Sequence, residues 1–189
     1  MILAGGLARR MGGGDKAMRL VGGRTVLEHL LERLTPQVDE VIVNANGDPA
    51  RFAPLPVIGD TLPDQPGPLA GVLAAMEWAA AERPHIGWIL TVPGDAPFIP
   101  RDLAARLRQA SGDRIACAAS GGRTHPVVAL WPAALRSELR RFLEAGERKV
   151  GKFASGAAVV EWPADPVDPF FNVNTQEDLE AANRLAAMP

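Results

Sequence analysis

The sequence predicts an α/β fold, a three-layer α/β/α sandwich on a mixed, mostly parallel sheet. Three observations carry this. Short apolar runs alternate with segments of 3.6-residue periodicity, the pattern of βα units. The runs lack polar alternation, so they suit strands covered on both faces. The link from Ser120 to Arg123 is short enough for a hairpin, which puts an antiparallel pair into the sheet. A chain of 189 residues has room for one domain, 1–189, with a hydrophobic core.

In chain order, Met1 to Leu3 reads as the clipped end of a first strand, followed by a loop through Lys16. Val26, Leu27, Leu30, Leu31 and Leu34 then form an apolar helical stripe, with Thr25 and Glu28 as a capping box and Pro36 as its stop. Val41-Ile42-Val43 is a second strand, Pro56 to Gly59 a third and Gly87 to Val92 a fourth. Between the last two, Pro68 opens a helix with Leu69, Val72, Leu73 and Met76 on one side, and Pro100 is expected to open another in the same way. Strands near Ile115 to Ala119 and Val127 to Leu130 precede a helix with Leu135, Leu139, Phe142 and Leu143 on its buried face. A strand around Ala157 to Glu161 follows, and Thr175-Gln176-Glu177-Asp178 caps a terminal helix.

Composition narrows the function. Apolar residues make up 47% and charged residues 22%, and no run approaches the length of a membrane span, so neither disorder nor membrane integration is expected. A net charge of −2 matches neither nucleic acid nor an anionic membrane surface as partner. Residues 1–24, however, hold Arg9, Arg10, Lys16, Arg19 and Arg24 against the single acid Asp15, which favours a small polyanion there. Lysine occurs only at Lys16, Lys149 and Lys152, so Lys16 stands out within its glycine-rich stretch. Cys117 is the one cysteine, read as a buried inert thiol, and it excludes an internal disulfide. Without a targeting segment at the N-terminus, a cytoplasmic location is expected.

Ligands of open α/β sheets bind beyond the carboxyl ends of the strands. Here those positions are Ala4-Gly5-Gly6 and its loop, Asn44-Ala45-Asn46, Asp60 and Pro93-Gly94-Asp95. Glycines let backbone N–H groups converge on phosphate oxygens, and nearby cations neutralise charge. Asp15-Lys16-Ala17 does not match the Gly-Lys-Ser/Thr of a Walker A loop. Gly12-Gly13-Gly14-Asp15-Lys16-Ala17 does fit a dinucleotide fingerprint, but it starts nine residues after the strand. Each polar residue also has a plainer reading. Asp60, Asn44 and Asn46 could close turns, Asp95 could cap the next helix, Arg9 and Arg10 could be solvated, and Asn174 could belong to a helix start capped by Thr175. His29 and His85 read as surface residues, and His125, before Pro126, as structural or supporting. No two histidines have metal-ligand spacing.

Leu3-Ala4-Gly5-Gly6, Arg9-Arg10-Met11-Gly12 and Asp15-Lys16 together resemble the signature loop of nucleotidyltransferases, in particular molybdenum cofactor guanylyltransferases. The resemblance continues through Val41-Ile42-Val43-Asn44-Ala45-Asn46, Pro66-Gly67-Pro68-Leu69-Ala70-Gly71, Gly94-Asp95-Ala96-Pro97, His125-Pro126, Gly146-Glu147-Arg148 and Phe171-Asn172-Val173-Asn174-Thr175. It implies a Rossmann-like nucleotidyltransferase fold, with a nucleotide-binding half over about 1–100 and a cofactor-substrate half over about 101–189. It also implies that Leu3, Ala4, Gly5 and Gly6 contact the nucleotide, Lys16 and Arg10 its phosphates, Asn44 and Asp60 the nucleoside or nearby polar groups, Asp95 a Mg²⁺ ion, and Asn172 and Asn174 the pterin. A hard ion such as Mg²⁺ needs only one or two protein carboxylates when phosphates supply the rest.

The implied reaction moves GMP from Mg-GTP to the terminal phosphate of molybdenum-molybdopterin and releases pyrophosphate, and molybdoenzymes or their chaperones would receive the product. Lys16, Arg10 and Asp95 would carry it electrostatically, without a catalytic triad. Three rivals are a cytidylyltransferase of the same cofactor, whose relatives usually carry Leu-Ala-Ala-Gly, a sugar-phosphate or isoprenoid-pathway nucleotidyltransferase, for whose large acceptor 189 residues leave no spare domain, and a catalytically idle nucleotide sensor that has lost the metal acid. The resemblance further implies several residues before Leu3, where only Met1 and Ile2 stand. Apolar strand residues added there are expected to raise stability.

Overall fold

A computed structural model describes residues 1–5, 15–62 and 67–187. Its main sheet has seven strands in the order β5-β4-β1-β6-β8-β7-β9. They are β1 (Ile2–Leu3), β4 (Val43–Asn44), β5 (Val57–Ile58), β6 (Trp88–Pro93), β7 (Ala116–Ser120), β8 (Arg123–Pro132) and β9 (Ala158–Trp162). Every pairing is parallel except those of β8, which runs antiparallel to both β6 and β7. The sheet is therefore mixed and mostly parallel, as the short 120–123 link predicts.

Period two along the strands divides the core between two faces. Leu90 and Val92 of β6, Ala116 and Ala118 of β7, and Val128 and Leu130 of β8 pack with α1 (Val26–Leu34), α3 (Leu103–Ser111) and α6 (Gln176–Ala186). Ile89, Cys117, Ala129 and Trp131 face the other way, onto α2 (Pro68–Glu82), α4 (Arg136–Glu144) and α5 (Val150–Phe153). This is the three-layer sandwich. The predicted capping box of Thr25 with Glu28 forms at α1, and the predicted cap at Thr175 forms at α6 as a second capping box, with Asp178.

Several elements differ from expectation. The second strand is Val43–Asn44 rather than 41–43, because β1 offers it only two residues and Pro56, next to β5, has no N–H for a ladder. Pro100 does not open α3. That helix begins at Leu103, and Gln37 Oε1 accepts from Ala104 N at 2.9 Å, doing from outside what a capping side chain would do. Asp102, at the N-cap position, instead accepts from Trp162 Nε1 at 2.9 Å. Helix α2 is buried through Ala70, Gly71, Ala74 and Ala75 as well as on the predicted side, since its small residues let it lie close to its neighbours. A two-stranded ribbon, β2 (Leu20–Val21) with β3 (Arg24–Thr25), stands between the expected loop and helix, where no strand was expected. Its turn is Gly22-Gly23, both at positive φ, the two-residue loop of a tight hairpin.

The Met1 amino group is buried and donates to Leu90 O at 2.6 Å, and burial lowers its pKa to about 5. No helix among the described residues is long and apolar enough to cross a membrane.

Candidate active site

A cavity of about 630 Å³ opens where the parallel strands end. Leu3 ends β1 at it and Ala4 and Gly5 follow, Asn44 and Asn46 come from the end of β4, Asp60 lies just after β5, and Asp95 follows β6. Lys16 and Asn174 reach the same space from distant parts of the chain. Of the predicted residues, Leu3, Ala4, Gly5, Lys16, Asn44, Asp60, Asp95, Asn172 and Asn174 thus line one cavity. Gly6, Arg9 and Arg10 lie outside the described residues.

On one side the polar groups hold each other. Asn44 is buried, and its Nδ2 donates to Ile58 O at 3.2 Å and Asp60 Oδ1 at 3.0 Å. Asn46 Nδ2 donates to Asp60 Oδ2 at 3.0 Å while its Oδ1 accepts from Asp60 N at 3.1 Å. The turn-forming reading of Asn44 is therefore wrong: it is a strand residue whose amide ties β4 to the loop after β5. Nearby, Arg51 Nη1 lies 2.9 Å from Asp15 and Arg51 Nη2 donates to Asn46 O at 2.8 Å, so Arg51 fixes Asp15, the residue before Lys16, against this network. Helix α2 crosses beneath it at Gly71, where a Cβ would overlap Asn44 Oδ1 and lie 2.7 Å from Leu3 Cδ2. Any larger residue there must displace the Asn44 and Leu3 side chains.

Lys16 begins a 3₁₀ turn, Lys16–Met18, and its Nζ lies 3.0 Å from Asp95 Oδ2 and donates to Asn174 Oδ1. The backbone reinforces this union, as Val173 N donates to Asp95 O at 2.8 Å. Asn174 serves both readings, since its side chain meets Lys16 and its N–H joins the α6 cap on Asp178. Asp95 does not cap α3; its Oδ1 accepts no hydrogen bond among the described residues. In the strand-end loop, Ala4 N donates to Asn44 O and Leu3 O accepts from Gly94 N, both at 2.9 Å. Those groups are used by the sheet, so Gly5 N is the first amide of the loop without a partner among the described residues.

The opposite wall comes from β8. Cys117 faces Ala129 but Ala118 faces His125, so residues 126–128 bulge out of register toward the cavity. Buried Thr91 secures the bulge by donating to Val127 O at 2.6 Å while accepting from Trp131 Nε1 at 2.9 Å. His125 lies against Phe170, ring centres 4.9 Å apart, with its Nε2 2.8 Å from Ser120 Oγ. Burial lowers its pKa; Asp168 and Glu161 oppose the shift and Arg123 adds to it. In the same cavity, Asn172 Oδ1 is sealed from solvent without a hydrogen-bond partner among the described residues. Cys117 is buried as expected, and burial raises its thiol to about 11. His29 is not simply a surface residue, because its Nε2 meets Val21 O at 2.8 Å.

Among the described residues, no three His, Cys, Asp or Glu side chains converge as a metal cluster. Asp95 still suits a hard cation, with one carboxylate oxygen on Lys16 and the other uncommitted, provided a ligand supplies the remaining oxygens.

Comparison with known proteins gives a consistent picture. The model of the MobA-like NTP transferase domain matches residues 1–159. A molybdenum cofactor guanylyltransferase of Nitrobacter hamburgensis is 53% identical over 100% of this chain and 94% of its own length. One of Rhodopseudomonas palustris (strain HaA2) is 57% identical over 98% of this chain and 91% of its own. Among solved structures, molybdopterin-guanine dinucleotide biosynthesis protein A of Archaeoglobus fulgidus superposes with a TM-score of 0.75 at 24% identity, covering 98% of this chain and 97% of that one. A 2-C-methyl-D-erythritol 4-phosphate cytidylyltransferase from Thermus thermophilus gives 0.70 at 23% identity, over 99% and 98% of the two chains. At those identities the two structures speak to the fold, and both share it.

Proposed function

The chain belongs to the MobA-like NTP transferase family, and from that premise we propose that it transfers GMP from Mg-GTP to the terminal phosphate of molybdenum-molybdopterin. The observation that carries this reading is the junction of Lys16, Asp95 and Asn174 at the strand ends, in a chain more than half identical to guanylyltransferases. A cation, a carboxylate with a free oxygen and an amide meet where a triphosphate and an acceptor would be brought together.

In the proposed reaction an oxygen of the acceptor's terminal phosphate attacks the α-phosphorus of GTP. A new P–O bond forms, the bond from the α-phosphorus to its bridging oxygen breaks, and the electron pair leaves with pyrophosphate. The attacking oxygen is already ionised, so no general base is needed. Lys16 would turn from Asp95 and Asn174 toward the phosphates, joined by Gly5 N, with Gly6 and Arg10 in the same role from the adjoining loop. Asp95, with phosphate oxygens, would hold Mg²⁺, which when bound neutralises charge on the phosphates. Asn44 and Asp60 would flank the nucleoside. Asn172, with its unpaired Oδ1, would face the pterin together with Asn174. Residues about 1–100 then act as the nucleotide-binding half and about 101–189 as the acceptor half.

Calorimetric titration with GTP, CTP and ATP in Mg²⁺ tests the base assignment. Tighter binding of GTP is expected. Equal affinity for all three would remove guanine selectivity while leaving the phosphate site standing.

A further inference from the structure

Ser120, buried in β7, has one hydroxyl proton and two close partners. Asp168 Oδ1 lies 2.8 Å from its Oγ and, as a carboxylate oxygen, can only accept, so the proton goes there. The Asp168 carboxylate is itself held, since Oδ1 also accepts from Phe170 N at 2.9 Å. The second partner, His125 Nε2 at 2.8 Å, must then be the donor to Ser120. A neutral imidazole that carries its proton on Nε2 keeps a lone pair on Nδ1. Among the described residues that atom has no hydrogen-bond partner and is not sealed from solvent, while His125 lines the acceptor side of the cavity.

We propose that the Asp168–Ser120–His125 relay fixes His125 as the Nε2–H tautomer, so that its Nδ1 accepts a hydrogen bond from an N–H on the heterocycle of the phosphate-bearing acceptor. This deepens the proposed reaction and rests on it for the identity of the acceptor. His125 is a binding residue in this scheme, and Ser120 and Asp168 are positioning residues that act through it. The chemistry selects a heterocycle with N–H donors at its edge, as an aminopterin has, over one that presents only acceptors. The β8 bulge supplies the geometry by turning 126–128 out of register directly beyond His125.

Two measurements test this separately. In ¹⁵N-labelled protein near neutral pH, two-bond ¹H–¹⁵N correlations, assigned by loss of the signal in His125→Gln, should show the His125 proton on Nε2, and Ser120→Ala should mix the tautomers. A wild-type proton on Nδ1 would overturn the relay. For binding, a side-chain amide at position 125 can imitate either ring nitrogen. Asn presents its polar group near Nδ1, whereas Gln reaches the Nε2 position and keeps the Ser120 contact. His125→Gln and His125→Phe should each raise KM for molybdopterin on the order of tenfold, the effect of about one lost hydrogen bond, with KM for GTP unchanged. His125→Asn should recover part of the loss. A purely structural His125 gives the opposite ranking, with Gln tolerated and Asn not, and that ranking overturns the proposal.

Calorimetric binding of a free 2-amino-4-oxopteridine, with the same ranking expected, reads the site without turnover. If the wild type releases no pyrophosphate from GTP and molybdopterin, the proposed reaction fails, while the tautomer and pteridine titrations still decide the relay.

Discussion

The two halves of the sheet are built to different lengths. Strands β5, β4 and β1 contribute two residues each, whereas β6, β8, β7 and β9 run for five to ten. In the long half, backbone ladders and the Trp131–Thr91–Val127 chain of hydrogen bonds hold the frame. The short half has little ladder, and side chains take over: Asp60 between Asn44 and Asn46, and Arg51 on Asp15. Strands that stop early leave loops free to gather polar groups, so the short half carries most of the chemistry and the long half gives it a fixed wall.

If that division is right, substitutions of the charged pair at the cavity, Lys16 from the short half and Asp95 from the end of β6, should separate activity from stability. Lys16→Ala and Asp95→Ala should each lower turnover on the order of 10²-fold or more in steady-state assays. Because their ion pair is partly solvent-exposed, its loss should cost no more than about 1 kcal/mol in denaturant unfolding. Near-full activity in either variant would break the comparison. Gly71→Ala should instead couple the two, costing about 1–3 kcal/mol from overlap with Asn44 and Leu3 and weakening nucleotide binding by calorimetry as Asn44 shifts. In the long half, Thr91→Val removes a donor to Val127 O and an acceptor for Trp131. It should cost about 1–3 kcal/mol in urea unfolding and leave GTP affinity in place.

Smaller effects sharpen the contrast. A cavity of about 540 Å³ lies beside Met1, Ile42 and Leu90, at the end of the sheet where β6 runs past the start of β1. Two or three apolar strand residues placed ahead of Met1 should pair there and raise Tm by about 2–4 °C for each kcal/mol gained. An unchanged Tm would show that two residues suffice. The least effect comes from pH. His125 has a folded pKa below its ordinary 6.5, so the unfolded chain binds the proton more readily. Its contribution to stability is complete above pH 6.5 and is lost as the pH falls through the lowered value. The wild-type Tm should therefore fall more than that of His125→Phe between pH 7.5 and 5.

Most of the frame could be read from the sequence because helix caps and apolar periodicity are local signals. Thr25 with Glu28, Thr175 with Asp178, and the 120–123 hairpin all form where the residues indicate. Strand ends were less legible, since they depend on the partner: Val41 and Ile42 look like strand but find too little of β1 to pair with. Pro100 misleads for a similar reason, because Gln37, far away in sequence, caps α3 near Leu103. At the site, strand-end positions alone collect Asn44, Asp60 and Asp95 into one cavity. The fixing contacts were invisible, because Arg51 with Asp15 and Ser120 with Asp168 are separated by 36 and 48 residues and carry no motif. One missed signal was local, as Gly22-Gly23 between short apolar pairs is the mark of a tight hairpin.

The central claim is that the junction of Lys16, Asp95 and Asn174 joins a guanine nucleotide to a pterin phosphate. Pyrophosphate release measured with molybdopterin, Mg²⁺ and either GTP or CTP tests it most directly. The account predicts release with GTP, dependent on both molybdopterin and Mg²⁺, and little with CTP. Release with CTP in preference to GTP, or none with either nucleotide from a protein that binds GTP, would contradict it.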